Sequence, residues 1–338
     1  MQGRKYVLKA GSLANMKLVD FEVAQPEPHE VVVGVKAIGL NFADVFAIWG
    51  LYSATPEGEF TPGLEYAGVI EAVGESVEHL KVGQRVMGVT RFGGYTSHIT
   101  NDAQYVIPLP ESWSFSEGAA YLVQGLTAYY GLFNLGDLQE GQTVLIHSAA
   151  GGVGLLANRI AKTKGAYTIG TVGNPSKLDL LEKEGYDKSI VRSSSFKSDL
   201  LDALGDRPLD LIMDSIGGKI LMDGFELLAP MGRIVTFGSA RYASVGNRPN
   251  YFKLIWTWLT RPKIDPQSLP ERNVSLMGFN LIWLYQQADL MHRILAEMSK
   301  LNMDQPLVGH RFDFENLKDA VLLFQSGKTV GKVVVEIE

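Results

Sequence analysis

The chain has 338 residues, 46% hydrophobic and 20% charged, with a formal net charge of −6. That length exceeds one compact core, so two domains are expected. The sequence has no basic block, which sets nucleic acid aside as a partner. It has no cysteine at all, which removes disulfides and thiolate metal sites together. The N-terminal residues lack an apolar run of signal-peptide length, and no stretch reaches the roughly 18 apolar residues of a membrane span, so a cytoplasmic location is expected.

Residues 1 to about 125 read as β-rich. Glu30–Ile38 is dense in β-branched residues and follows Pro26 and Pro28. Tyr66–Val73, Arg85–Val89, Tyr95–Thr100 and Gln104–Ile107 are further short strands, divided by glycines and closed by Pro108 and Pro110. Short strands with this punctuation predict a small barrel or irregular sandwich. Ala119–Phe133 is apolar at helical spacing.

At Thr143 the rhythm changes. Thr143–Gly154 reads T-V-L-I-H-S-A-A-G-G-V-G, a buried strand followed by a glycine turn, and Leu155–Lys164 continues as a helix. Ala149 stands at the first position of a G-x-G-x-x-G pattern, with Gly151 and Gly154 at the other two. Such a turn brings backbone N–H groups against a dinucleotide pyrophosphate, so Ala150, Gly151, Gly152, Val153 and Gly154 are assigned to the cofactor. Ala166–Val172 completes the βαβ unit. Lys188–Val191, Leu209–Met213, Gly232–Phe237 and Val274–Phe279 follow as strands with Ile220–Leu228 as a helix, the alternation of a doubly wound sheet. Helices at Ala288–Leu301 and Phe314–Gln325 and a strand at Gly331–Ile337 end the sequence.

Several stretches together match one family at the right spacing: Ile38–Tyr52 (I-G-L-N-F-A-D-V-F-A-I-W-G-L-Y), Pro62–Val86, Gly125–Tyr129, the turn at 149–154, Asp214–Gly218 (D-S-I-G-G) and Gly331–Val334. The chain resembles the zinc-free quinone oxidoreductases of the medium-chain dehydrogenase/reductase superfamily. Within that group it is most similar to the vesicle amine transport protein branch. The resemblance implies an α/β protein: a doubly wound Rossmann domain at 127–278, and a chaperonin-10-like β-rich catalytic domain built from both chain ends, 1–126 and 279–338. It also implies a homodimer.

Zinc-dependent relatives hold their metal with Cys, His and Cys. The matching positions here are Asn41, Leu64 and Gln124, and the six histidines show no close pairing, so no metal is expected. Without a Lewis acid, an acceptor that delocalises the arriving charge is favoured, a quinone or an α,β-unsaturated carbonyl. No tyrosine has lysine four residues on, which removes a Tyr-x-x-x-Lys scheme.

No acidic residue lies between Gly154 and Asp179, where an NAD-preferring fold places its ribose ligand. Asn174 and Pro175 read instead as the cap and first residue of a helix. The resemblance then puts Lys177 on a 2′-phosphate, with Ser176 and Arg192 as further candidates, so NADPH is expected. By resemblance Asn41 and Tyr52 lie beside the nicotinamide, where an amide and a phenol can hydrogen-bond an acceptor carbonyl. Thr127 is placed at the nicotinamide end of the cofactor. The family's tyrosine at the position of Phe46 is absent. Asp44 and Glu65 are read as structural. Gly238, Ser239, Phe279 and Asn280 end sheet strands where such folds bind ligand.

Tyr251–Lys263 (Y-F-K-L-I-W-T-W-L-T-R-P-K) stands in a long connection and is open to four readings: a lid, a dimer contact, a membrane-surface helix or a helix docked on its own domain. A second reading of the whole chain is an NADPH-binding regulatory or lipid-interacting module with little turnover.

Overall fold

The structure, a computed structural model, describes residues 1–338. Its centre is a six-stranded, wholly parallel sheet. In spatial order the strands are Lys188–Val191, Tyr167–Val172, Thr143–Ile146, Leu209–Asp214, Leu228–Thr236 and Ser275–Gly278. This is the 3-2-1-4-5-6 order of a Rossmann fold, whose ligands bind where the order reverses, here beside Thr143–Ile146. All four residues of that strand are buried, because helices cover both faces of a parallel sheet.

The second unit is a seven-stranded sheet. Val308–Asp313, Lys332–Glu336, Glu30–Gly39, Glu65–Val73, Arg85–Val89 and Val106–Pro108 follow one path, and His98–Asp102 pairs with Glu30–Gly39 off it. The C-terminal strand Lys332–Glu336 lies antiparallel to Glu30–Gly39, so the two ends of the chain build one sheet. A smaller sheet joins Lys17–Glu22, Gln2–Lys9 and Glu59–Phe60. One hydrophobic core carries side chains of both units, with Ala37, Ala67 and Val334 packed in the same cluster as Val144, Ile146 and Leu156.

Most elements differ from the sequence expectation only at their ends. The expected helix over Ala119–Phe133 is interrupted: Phe115–Gly118 and Leu122–Tyr129 are separate helices, and Tyr130–Leu135 widens to π geometry. The helix after the glycine turn begins at Gly152, three residues earlier than expected, because Gly151 itself is its N-cap. No helix is long and apolar enough to cross a membrane.

Candidate active site

A cleft of ≈ 1290 Å³ opens along the carboxyl ends of the parallel strands and runs under the β-rich unit. Its wall contains Ala150, Gly151, Gly152, Val153 and Gly154. The glycines are needed for close approach. A Cβ at Gly154 would lie 2.6 Å from the Ser148 carbonyl oxygen and 2.7 Å from Ala149 Cα, and one at Gly152 would lie 1.7 Å from Gln124 Oε1. Gly151 caps the helix without a side chain, so the first-turn N–H groups face the cleft with no intrahelical acceptor. That is the arrangement that accepts a pyrophosphate. The same turn is pinned to the C-terminal strand, since Gly331 N–H donates to the Ala150 carbonyl at 2.8 Å.

Further along the wall lie two cations, Lys177 and Arg192. Asn174 caps the short helical turn as expected, its Oδ1 accepting from Ser176 N–H at 2.9 Å with Pro175 at the first position. Lys177 Nζ donates to the carbonyls of Gly327 (2.7 Å) and Thr329 (2.6 Å), leaving one ammonium hydrogen for a ligand. Arg192 Nη1 donates to Thr171 O and Oγ1 at 3.1 and 3.0 Å. Burial, and then the neighbouring Arg192 charge, lower the Lys177 ammonium from its ordinary value; burial likewise lowers Arg192. Ser176 is exposed and lies outside the cleft wall, its backbone N–H held by the Asn174 cap. His147 in the same wall gives its Nδ1 to a 2.9 Å contact with Thr171 Oγ1, and burial pushes its pKa down to about 3, so the imidazole is neutral.

At the far end Asn41, Tyr52, Thr127, Gly238, Ser239, Phe279 and Asn280 all line the cleft. Tyr52 Oη donates to Asn280 Oδ1 at 2.7 Å, a pairing the sequence did not suggest. Burial raises the Tyr52 phenol to about 12, so it is a hydrogen-bond donor and not an acid near neutrality. Thr127 Oγ1 is turned back onto the Val123 carbonyl at 2.6 Å. Phe46, where the resemblance implied a tyrosine, stacks edge-on with Phe42 and Trp49.

The Asn41 amide is not free, contrary to the expectation that it serves an acceptor directly. Its Nδ2 donates to Glu65 Oε1 at 2.9 Å, and its Oδ1 accepts from Lys332 Nζ at 2.9 Å. Lys332 is 1% exposed, as is the Glu65 carboxylate it pairs with. A buried ammonium must be paired and hydrogen-bonded, and Glu65 and Asn41 do both. Glu65 Oε2 also accepts from Val123 N–H at 3.1 Å. Asp44 has the structural role expected of it: its Oδ2 accepts from Asn41 N–H (2.8 Å) and from Tyr95 Oη (3.1 Å), capping the helix Phe42–Trp49. Its other oxygen is buried without a partner, and burial raises this carboxyl to about 7.

With this geometry established, comparison with known proteins places the chain. Two family models match, the alcohol dehydrogenase GroES-like domain over residues 27–111 and the zinc-binding dehydrogenase over 152–281. The human synaptic vesicle membrane protein VAT-1 homolog is 35% identical over 313 residues, 92% of this chain and 79% of that protein. The solved CurK enoyl reductase is similar at 31% identity, with a TM-score of 0.86 over 100% of both chains. The Escherichia coli quinone oxidoreductase, solved in complex with NADPH, is similar at 27% identity, with a TM-score of 0.84 over 99% of both. The chain belongs to the medium-chain dehydrogenase/reductase superfamily of oxidoreductases. Within that superfamily it falls in the branch of the VAT-1 homologues.

The zinc in the second family's description does not fit this chain. Leu64 has no donor atom, Asn41 and Gln124 are poor zinc ligands, and the ammonium of Lys332 stands against Asn41 and Glu65. Nowhere do three His, Asp or Glu side chains converge in a metal-binding arrangement.

Proposed function

We propose that the protein is an NADPH-dependent, zinc-independent reductase of quinones or α,β-unsaturated carbonyls. Residues 127–278 hold the dinucleotide, and residues 1–126 and 279–338 supply the acceptor side. The observation that carries the reading is the pair Lys177 and Arg192, two partly buried cations on a cleft wall that also holds the bare glycine turn. A 2′-phosphate placed between them relieves both desolvated charges. When bound, the cofactor supplies a hydride to the acceptor. Similarity to an NADPH-bound quinone oxidoreductase supports the same choice.

The chain's own residues bind and orient. Gly151, Gly152 and Gly154 bring the backbone to the pyrophosphate, with Ala150 and Val153 beside them. Gly238, Ser239 and Thr127, which line the cleft, would hold the dinucleotide with them. Tyr52 turns its hydroxyl from Asn280 to the acceptor oxygen, and Asn41, held by Lys332 and Glu65, fixes the wall opposite. Because neither group is an acid at neutral pH, the proton that completes the reduction comes from solvent. An acceptor that spreads negative charge over a conjugated system suits donors of this strength.

Replacing Lys177 with alanine is expected to weaken NADPH roughly 10- to 100-fold, the worth of a charge-assisted hydrogen bond, while leaving NADH nearly unchanged in the same calorimetric titration. Equal losses for the two dinucleotides refute the phosphate assignment. Turnover is read from NADPH consumption with a panel of ortho-quinones, para-quinones and 2-alkenals. Binding of NADPH without consumption by any of them leaves the non-enzymatic reading.

A further inference from the structure

We propose that the acceptor carries a long apolar tail, and that this tail lies along the cleft-facing side of the helix Tyr251–Leu259. The inference rests on the reductase reading and names its substrate class.

The helix is capped by Asn250, whose Oδ1 accepts from Lys253 N–H at 2.9 Å. Its attachment to the body is polar. Thr257 is its one buried residue, Arg241 Nη2 donates to the Thr257 carbonyl at 3.1 Å, and Lys253 Nζ donates to the Ala243 carbonyl. Seven of its nine side chains are large and apolar, yet none of them joins any hydrophobic core of the protein. An apolar helix unpacked on the inside has not found its cover within its own chain.

Four of those side chains, Tyr251, Leu254, Ile255 and Trp258, line the cleft. Their i, i+3, i+4, i+7 spacing makes them one continuous stripe, and it carries no charge. Tyr251, Ile255 and Trp258 are 56%, 59% and 55% exposed although they form a cleft wall. Phe46 and Leu51 are further apolar residues of the same cleft, which also holds Tyr52. A tail laid along the stripe has about 13 Å of helix to cover it, enough for on the order of ten bonded carbons. The cleft also exceeds the roughly 300–1,000 Å³ of an ordinary ligand pocket, leaving room beside a dinucleotide. A second apolar cavity, behind Leu64 and Val123, measures ≈ 80 Å³ and has room for only two or three waters' worth of atoms, too few for a tail.

The test is a series of 2-alkenals of increasing length with NADPH. KM is expected to fall by up to about fourfold for each added methylene until the stripe is covered. Ile255→Ser and Trp258→Ser flatten that dependence, while Phe252→Ser, on the outward face, leaves it intact. A flat series in the native protein, or one that Ile255→Ser does not change, overturns the proposal. If no alkenal is turned over, so that the reductase reading itself fails, saturated 2-alkanones of the same lengths are titrated into the NADP⁺-loaded protein by calorimetry. Affinity that rises with length and is flattened by Ile255→Ser sustains the tail site, and length-independent affinity overturns it. Phosphatidylcholine–phosphatidylserine vesicles captured by the native protein but not by Ile255→Ser, together with a flat series, assign the stripe to a membrane and also overturn it.

Discussion

At the scale of single residues, a buried ion pair stands behind Asn41 in the cleft wall. Lys332 supplies positive charge behind Asn41, and Glu65 neutralises it. Lys332→Met strands the Glu65 carboxylate in the core and is expected to cost about 3–5 kcal/mol of stability in a denaturant titration. The double variant Lys332→Met, Glu65→Gln removes both charges and recovers most of that loss. Its kcat stays depressed, because Asn41 has lost the ammonium that oriented it; a double variant with native kcat would reduce the lysine to a structural role. Asp44 makes a pH-dependent prediction. The folded protein holds the Asp44 proton up to about 7, against an ordinary value of 3.8, so it binds more protons than the unfolded chain between those limits. Stability therefore falls as pH rises from about 4 to about 7, by at most roughly 4 kcal/mol, and is level above that. Asp44→Asn keeps an acceptor for Tyr95 and should abolish the slope in unfolding measured across that range.

At the scale of elements, the glycine turn separates two kinds of close approach. A methyl at Gly154 meets the backbone of Ser148 and Ala149, which cannot yield, so Gly154→Ala is expected to destabilise by about 1–3 kcal/mol. A methyl at Gly152 meets only the end of Gln124. Gly152→Ala should leave the melting temperature almost unchanged but push Gln124 into the cleft and weaken the dinucleotide about tenfold; adding Gln124→Ala restores it. This turn was legible in the sequence because strand, glycines and helix are local and periodic. The helix start at Asn174 and Pro175 was legible too. The lysine in G-K-V-V-V was not. It reads as the polar start of the last strand, and its burial is fixed by Asn41 and Glu65, which only the fold brings to it. The bond from Tyr52 to Asn280 was hidden for the same reason, since 228 residues separate the partners.

At the scale of the whole molecule, the cleft lies between a sheet built from the middle of the chain and one closed by both ends. The division was readable because the sequence rhythm changes at Thr143, from short strands with glycine and proline punctuation to strand and helix in alternation. The shared core was not readable, since it depends on how the covering helices seat against Ala37, Ala67 and Val334. The helix Tyr251–Leu259 shows the opposite failure: its composition was conspicuous, but composition alone left four placements open, and only its position on the cleft wall distinguishes a binding surface from a packed one.

The pairing of Glu30–Gly39 with Lys332–Glu336 also sets an order of events during synthesis. All six strands of the parallel sheet have been made once residue 278 has left the ribosome. Glu30–Gly39 was made long before and can pair early with Glu65–Val73 and His98–Asp102, but its free edge at Ala37–Gly39 waits for Lys332–Glu336. Contacts so distant in sequence form late. Ribosome-bound chains halted near residue 320, with residue 278 clear of the exit tunnel, should therefore yield a protease-resistant fragment from the middle of the protein while the segment around residue 38 is cut. Protection of that segment should appear only after residue 336 is free; simultaneous protection of both regions would contradict this order. Until then the newborn chain leaves the Ala37–Gly39 edge of that strand uncovered, and an open strand edge is a site for aggregation.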